Sequence, residues 1–191
     1  MKRNNPGNIR AFIDASGNIS KPFYGETTPD IKPGNKSGFR VFDTTPAGYR
    51  ALFKVLKNNY LESGYDTIRK IFPRYAPATD NNDPNHYINF VEAKTNIPRD
   101  RKLSTYAELI PIVKAITEME HGETADPNEV KLGYESINDP TKLIVELLPG
   151  QDSTTPGQKN KFIKPVLIGA GLLTAFFIYR HYAKKKISIS R

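Results

Sequence analysis

The 191-residue chain has no cysteine and no tryptophan, two methionines and three histidines. Without cysteine there is no disulfide framework, no thiolate metal site and no thiol nucleophile. His86, His121 and His181 lie too far apart in sequence to pair as metal ligands, and nothing in the chain points to a metal or a cofactor. Met1-Lys2-Arg3-Asn4-Asn5-Pro6-Gly7 lacks an apolar core, so no secretory signal peptide is expected.

Residues 159–191 hold no acidic residue at all. The chain has 28 Lys+Arg against 20 Asp+Glu, a net +8 that would ordinarily suggest nucleic acid. Eight of the basic residues fall in the acid-free tail, leaving residues 1–158 with 20 of each sign. The basicity belongs to the tail, and nucleic acid is not an expected partner.

Long apolar runs are scarce as well. The exception is Pro165–Tyr179, fifteen residues without a charge. A helix of that length spans about 22 Å, short of the roughly 30 Å of a hydrocarbon core. Taken alone it would suit a buried core helix. Its flanks extend it: Lys159, Lys161 and Lys164 precede it, and Arg180, Lys184, Lys185, Lys186 and Arg191 follow. Such side chains snorkel, and Phe162, Tyr179 and Tyr182 suit the two interfaces. The expectation is a single transmembrane helix over residues 162–182, with a basic tail at 183–191. The excess of basic residues after the span favours a cytoplasmic C-terminus. Residues 149–161, with two Pro-Gly pairs, read as a flexible linker. Residues 1–148 then form one domain, held by the anchor at a lipid bilayer.

Within that domain, residues 1–45 are rich in Asn, Gly, Pro and Thr, with one alternating run, Phe39-Arg40-Val41-Phe42. They read as loop and short strand. Helices follow. Thr45-Pro46 marks a start, and Tyr49, Leu52, Phe53, Leu56 and Tyr60 make one apolar stripe up to Gly64. Asp66 is expected to cap a short helix through Ile68, Ile71 and Phe72 that Pro73 ends. Asp83-Pro84 opens a third helix, and Thr105 to Glu108 has capping-box spacing for a fourth. Asp126-Pro127 opens a fifth. The fold class is mainly α with a small β element.

In the fourth helix Leu109, Ile112, Val113 and Ile116 share a face. At 100° per residue Glu120 returns to that face, while Glu118 points away. Glu120 therefore lies on the core stripe just before Gly122, partly desolvated and near the negative end of the helix dipole. A general acid at neutral pH needs such an environment; a frayed end in water or a salt bridge to an Arg is the alternative reading. The run Arg3-Asn4-Asn5-Pro6-Gly7-Asn8-Ile9-Arg10 is dense in turn formers. Its amides either brace a turn or bind a sugar's N-acetyl and hydroxyl groups.

Several ordered motifs then share a resemblance: Asn4-Asn5-Pro6-Gly7-Asn8-Ile9-Arg10, Tyr24-Gly25-Glu26, Gly38-Phe39-Arg40-Val41-Phe42-Asp43 and Pro46-Ala47-Gly48-Tyr49-Arg50-Ala51-Leu52. Thr67-Ile68, Arg74-Tyr75-Ala76-Pro77, Asn82 with Tyr87, and Glu120-His121-Gly122 continue the order. Over roughly residues 3–137 the chain resembles a phage family of lysozyme-like virion proteins related to lytic transglycosylases. The first motif is also similar to a turn of bacterial glucosaminidases. In those enzymes a helix carrying the catalytic Glu precedes the turn; here no Glu stands before Asn4. Either that helix and its acid are missing or another part of the chain supplies them. The resemblance implies an α+β lysozyme-like fold, and the hypothesis is that it is circularly permuted, the fourth helix standing in for the absent one. Glu120 is the favoured acid and Glu26 its competitor. Asn5, Asn8 and Arg10 would line the cleft, and Tyr75 and Tyr87 would stack on sugars or pack in the core.

The implied function is cleavage of the MurNAc–GlcNAc bond in peptidoglycan glycan strands, as a lytic transglycosylase or a muramidase. A transglycosylase needs one carboxyl and a hydrolase usually two, whose separation sequence does not supply. The setting would be a virion-associated enzyme opening the wall as a genome enters, or a lysis enzyme, with other virion proteins as neighbours. A virion protein whose lysozyme-like fold has no catalytic role is the alternative.

Overall fold

A computed structural model of the chain describes residues 3–145. The helix starts follow from their caps. Thr44, in extended backbone, accepts from the Ala47 N–H and opens α1 (Thr45–Val55) with Pro46 in its first turn. Thr67, and not Asp66, caps α2 (Ile68–Tyr75), accepting from the Lys70 N–H at 3.2 Å. Asp66 turns its carboxylate to Lys70 and Lys102 instead. Asp83 caps α3 (Pro84–Thr95) and Asp126 caps α5 (Pro127–Glu135). The expected capping box is present at Thr105 and Glu108, around a short 3-10 turn that leads into α4 (Leu109–His121). A last short helix, α6, runs Lys142–Val145.

Two expectations need correcting here. Pro73 does not end its helix, because in the last turn it costs a single hydrogen bond to the carbonyl four residues back; the chain leaves α2 at Ala76. The apolar stripe of α1 does continue to Tyr60, but not as α-helix. Leu56–Tyr60 widens into a π turn, Leu61–Ser63 tightens to 3-10, and Gly64 stops the run at φ 81°. π turns of this kind are frequent at functional sites, and this one sets Asn59 and Tyr60 against the cleft described below.

The core is helical. α1 packs on α5 and α4, and α3 lies between α2 and α4. Leu52, Phe53, Leu56, Ile68, Ile71, Phe72, Ile112 and Ile116 are fully buried, each stabilising the fold by about 1.5–3 kcal/mol relative to exposure. The β element is one antiparallel pair, β1 (Arg10–Phe12) and β2 (Ser37–Phe39), in the register Arg10↔Phe39 and Phe12↔Ser37. The alternating run marked β2 two residues late, since Val41 and Phe42 lie beyond the ladder.

The fold class itself is corrected. Sequence reasoning joined the domain to a C-terminal single transmembrane helix, whereas the described residues are mainly helical and include no such helix. Among the described residues no helix is long and apolar enough to cross a membrane, α4 being 13 residues long. The linker, span and basic tail expected at 149–161, 162–182 and 183–191 lie outside the described residues.

Gly48 fits the N-terminal segment onto α1. A Cβ there would stand 1.9 Å from the Asn4 carbonyl oxygen and 2.8 Å from Pro6 Cδ. Neither is the free end of a flexible side chain, so backbone must move. Gly48→Ala is expected to cost about 3 kcal/mol, read as a lower urea midpoint at unchanged slope.

Candidate functional site

The Asn-rich run is a turn whose amides divide between two tasks. Asn5 is buried and wholly occupied within it: Nδ2 donates to the carbonyls of Ile9 and Arg40, both at 2.9 Å, and Oδ1 accepts from the Ile9 N–H. Asn4 Nδ2 donates to the carbonyls of Phe42 and Asp43. Both hold the turn against the segment after β2. Asn4 and Asn8 sit at positive φ, 49° and 46°, a conformation Asn tolerates better than other side chains. That backbone at Asn8 sends its side chain away from the turn.

It meets Glu120. Asn8 Nδ2 donates to Glu120 Oε2 at 2.6 Å across a separation of 112 residues. Glu120 is half-buried in the last turn of α4, which ends at Gly122 in the left-handed region, φ 66°. From α3, Tyr87 donates its hydroxyl to Glu120 Oε1 at 2.5 Å. Next along the chain, His121 Nε2 lies 3.2 Å from the Asn5 carbonyl oxygen, tying the same helix end to the same turn. Glu118 points the other way and pairs with Lys94 on the surface.

Three tyrosines back the carboxylate. Tyr87 stacks on Phe72 with centroids 5.7 Å apart, and Tyr75 packs edge-on to Phe72 and tilted against Tyr60 and Tyr87. Tyr75 donates its hydroxyl to the Gly7 carbonyl at 2.6 Å, steadying the residue before Asn8. The rings of Tyr75 and Tyr87 thus pack in the core while their hydroxyls reach the site. Burial, then the hydrogen bond and negative charge of Glu120, hold the Tyr87 hydroxyl well above the usual phenol range. Burial followed by the Glu120 and Tyr87 charges does the same for Tyr75. Both phenols keep their protons and remain donors at physiological pH.

A cleft of about 570 Å³ opens over this group. Asn8, Arg10, Tyr75, Tyr87 and Glu120 all line it. Asn5 lies behind the turn and faces a second cavity of about 420 Å³, with His121, Asp126 and Glu129. Glu26 is not among the residues lining the 570 Å³ cleft. Its side chain is 1% exposed and bonds Arg40 Nη1 at 2.5 Å and the Phe23 N–H at 2.8 Å. Arg40 in turn donates to the Arg10 carbonyl and to Ser20 Oγ, so the pair braces the strand that follows the turn. Among the described residues no group of three or more His, Asp and Glu side chains is gathered to hold a metal ion.

Sequence reasoning missed Phe12, Asn59, Arg74 and Asp80, which also line the cleft. Arg74 stacks over Tyr65 at 4.2 Å, and Arg10 lies 4.0 Å from Asp80. Only Arg74 stood inside a quoted motif; the others carry no periodicity that marks them.

No family model matches the chain. Protein P5 of Pseudoalteromonas phage PM2 is 34% identical over 137 residues, spanning 71% of this chain and 79% of the phage protein. The chain belongs to the Protein P5 family. The phage relationship expected from the sequence motifs is thereby shown. The match runs over most of the length of both chains rather than over a short motif.

Proposed function

We propose that the Glu120 cleft cleaves peptidoglycan glycan strands between MurNAc and GlcNAc, by a one-carboxyl, lytic-transglycosylase route. The observation that carries this reading is the meeting of Glu120 with Asn8 and Tyr87 at the floor of an open cleft. It supports the permuted lysozyme-like relation, with the end of α4 standing against the turn that a catalytic helix would precede. Membership of the P5 family supports the phage setting: a virion-associated protein that opens the wall locally during infection or release, among other virion proteins.

The chemistry balances on one group. Protonated Glu120 gives its proton to the glycosidic oxygen as the MurNAc C1–O bond breaks. The resulting carboxylate takes the proton of the MurNAc 6-hydroxyl as that oxygen closes on C1. The 1,6-anhydro product forms without water, and Glu120 is protonated again. Asn8 holds Oε2 in place, leaving Oε1 and the Tyr87 hydroxyl to exchange donor and acceptor roles as the proton moves. Among the described residues lining the cleft the other carboxylate is Asp80, half-exposed and beside Arg10; it is the candidate partner if the route is hydrolytic.

The deciding measurement is the mass of fragments released from purified peptidoglycan. Anhydro ends support the reading; reducing ends would make the enzyme a muramidase, and no release would remove catalysis. Tyr87→Phe keeps the ring packing and deletes the donor. It is expected to lower kcat by about 10–100-fold with KM little changed, measured as turnover on the same substrate.

A second reading is favoured by one detail: both Glu120 oxygens are already bonded within the protein. Glu120 would then be a clamp between α4, α3 and the turn in a non-catalytic virion protein. In that case Glu120→Ala, which removes both bonds, lowers the melting temperature while the wild type releases no fragments.

A further inference from the structure

Phe12 is the feature of the cleft that neither the catalytic group nor the core accounts for. Strand alternation decides its direction: Ala11 is buried, while Arg10 and Phe12 point to the opposite face. The register adds Phe39 and Ser37 to that face, opposite Arg10 and Phe12 respectively. Phe39 is half-buried and covered by two guanidiniums, Arg3 at 5.0 Å and Arg10 at 5.5 Å from its centroid. Phe12 has no such cover. At 57% exposure it is the most exposed large apolar side chain among the described residues.

Its surroundings are polar. Ser20 adjoins Phe12, Arg10 shares its strand face, and the cleft they line also includes Asn59, Asp80 and Asn82. Its backbone is held on both edges, by the β2 ladder on one side and Ser20 on the other. The Phe12 N–H donates to Ser20 Oγ at 3.1 Å, and Phe12 O accepts from the Ser20 N–H at 2.8 Å. A rigidly mounted, uncovered aromatic ring among hydroxyl, amide and carboxylate groups matches the two-sided chemistry of a pyranose. The sugar's axial C–H groups carry partial positive charge toward the negative ring face, while its equatorial hydroxyls meet the polar rim.

Resting on the reading of the cleft as a glycan-cleaving site, we propose that Phe12 is the stacking platform of a pyranose-binding subsite at its sheet end, with Arg10 and Ser20 at its polar rim. The ligand class is a β-1,4-linked N-acetylglucosamine-containing strand. Such a subsite anchors the chain at a distance from Glu120 and sets which linkage lies over the carboxylate.

The test is binding of N-acetylchitohexaose to the full chain by titration calorimetry, in a Glu120→Gln background so that turnover is prevented. Phe12→Ala is expected to weaken Kd by about 3–10-fold, with Phe12→Tyr binding as the parent does. Equal affinity in all three proteins overturns the subsite, as does a Tyr variant as weak as the Ala variant. Sedimentation of the wild type and Phe12→Ala gives a further arm: concentration-dependent self-association lost in the variant would reassign Phe12 to a contact between copies. The wild type on purified peptidoglycan separates the two readings. Cleavage without a Phe12 effect removes the subsite alone, whereas neither cleavage nor hexaose binding removes the glycan reading and the subsite with it.

Discussion

Glu120→Gln is expected to lower peptidoglycan cleavage by about 10³-fold or more while leaving the protein folded. The amide keeps the size and planarity of the carboxyl. Its oxygen can still accept from Asn8 Nδ2, which now approaches at 2.6 Å. Its NH₂ then faces Tyr87, whose hydroxyl oxygen can accept where it formerly donated. The clamp between α4, α3 and the turn is therefore retained in outline. What is lost is a proton that can be given to a leaving oxygen and taken back from a 6-hydroxyl. Fragment release from purified peptidoglycan, beside a thermal melt of the same sample, reads both quantities. Lost activity with an unchanged melt supports the catalytic assignment. Retained activity would end it, and a wild type that releases nothing would favour the structural clamp.

Glu26→Ala is expected to destabilise the protein by about 3–5 kcal/mol, the largest effect on stability of any single change considered. Both members of the pair are almost fully buried, at 1% and 6% side-chain exposure for Glu26 and Arg40. Removing the carboxylate leaves a guanidinium in the interior without a counter-charge, held by the Arg10 carbonyl, Ser20 Oγ and the face of the Phe23 ring. It also frees the Phe23 N–H. The damage reaches the cleft through the backbone, because the Arg40 N–H and carbonyl hold Ile9 and Asn5. Urea unfolding measures the loss. Glu26→Gln should recover part of it, since the amide oxygen can still accept from Arg40 or from Phe23. Assayed where it remains folded, Glu26→Gln should cleave peptidoglycan as the wild type does, in contrast to Glu120→Gln. Equal losses of cleavage in the two Gln variants would put the acid assignment in question.

These contrasting expectations for two glutamates show how far the amino-acid pattern reaches. Glu120 was legible because helical periodicity is short-ranged: from Leu109 onward each position has a known angle, and a carboxylate on the apolar side of a helix end is conspicuous. Glu26 offered no periodicity, and proximity in a motif could not tell a substrate-facing acid from half of a buried ion pair. Arg40, fourteen residues away, decides that, and only chain folding brings them together. The tyrosines divide in the same way. Their presence near the site was readable, but the stacking of Tyr87 on Phe72 turns ring faces inward and leaves hydroxyls for Glu120.

Sequence alone determined the helical class, the caps at Asp83 and Asp126, the confinement of excess charge to residues 159–191, and the face on which Glu120 lies. Each depends on residues within a turn or two of one another, or on counting. Tertiary structure decided what Glu120 touches, which of the asparagines brace the turn and which one leaves it, and that Phe12 stands uncovered at the cleft. It also decided that Leu56–Tyr60 widens into a π turn. Those outcomes rest on contacts between segments tens to more than a hundred residues apart, such as Asn8 with Glu120. Local propensity has no term for such a contact, and it exists only once the core between α1, α4 and α5 has closed.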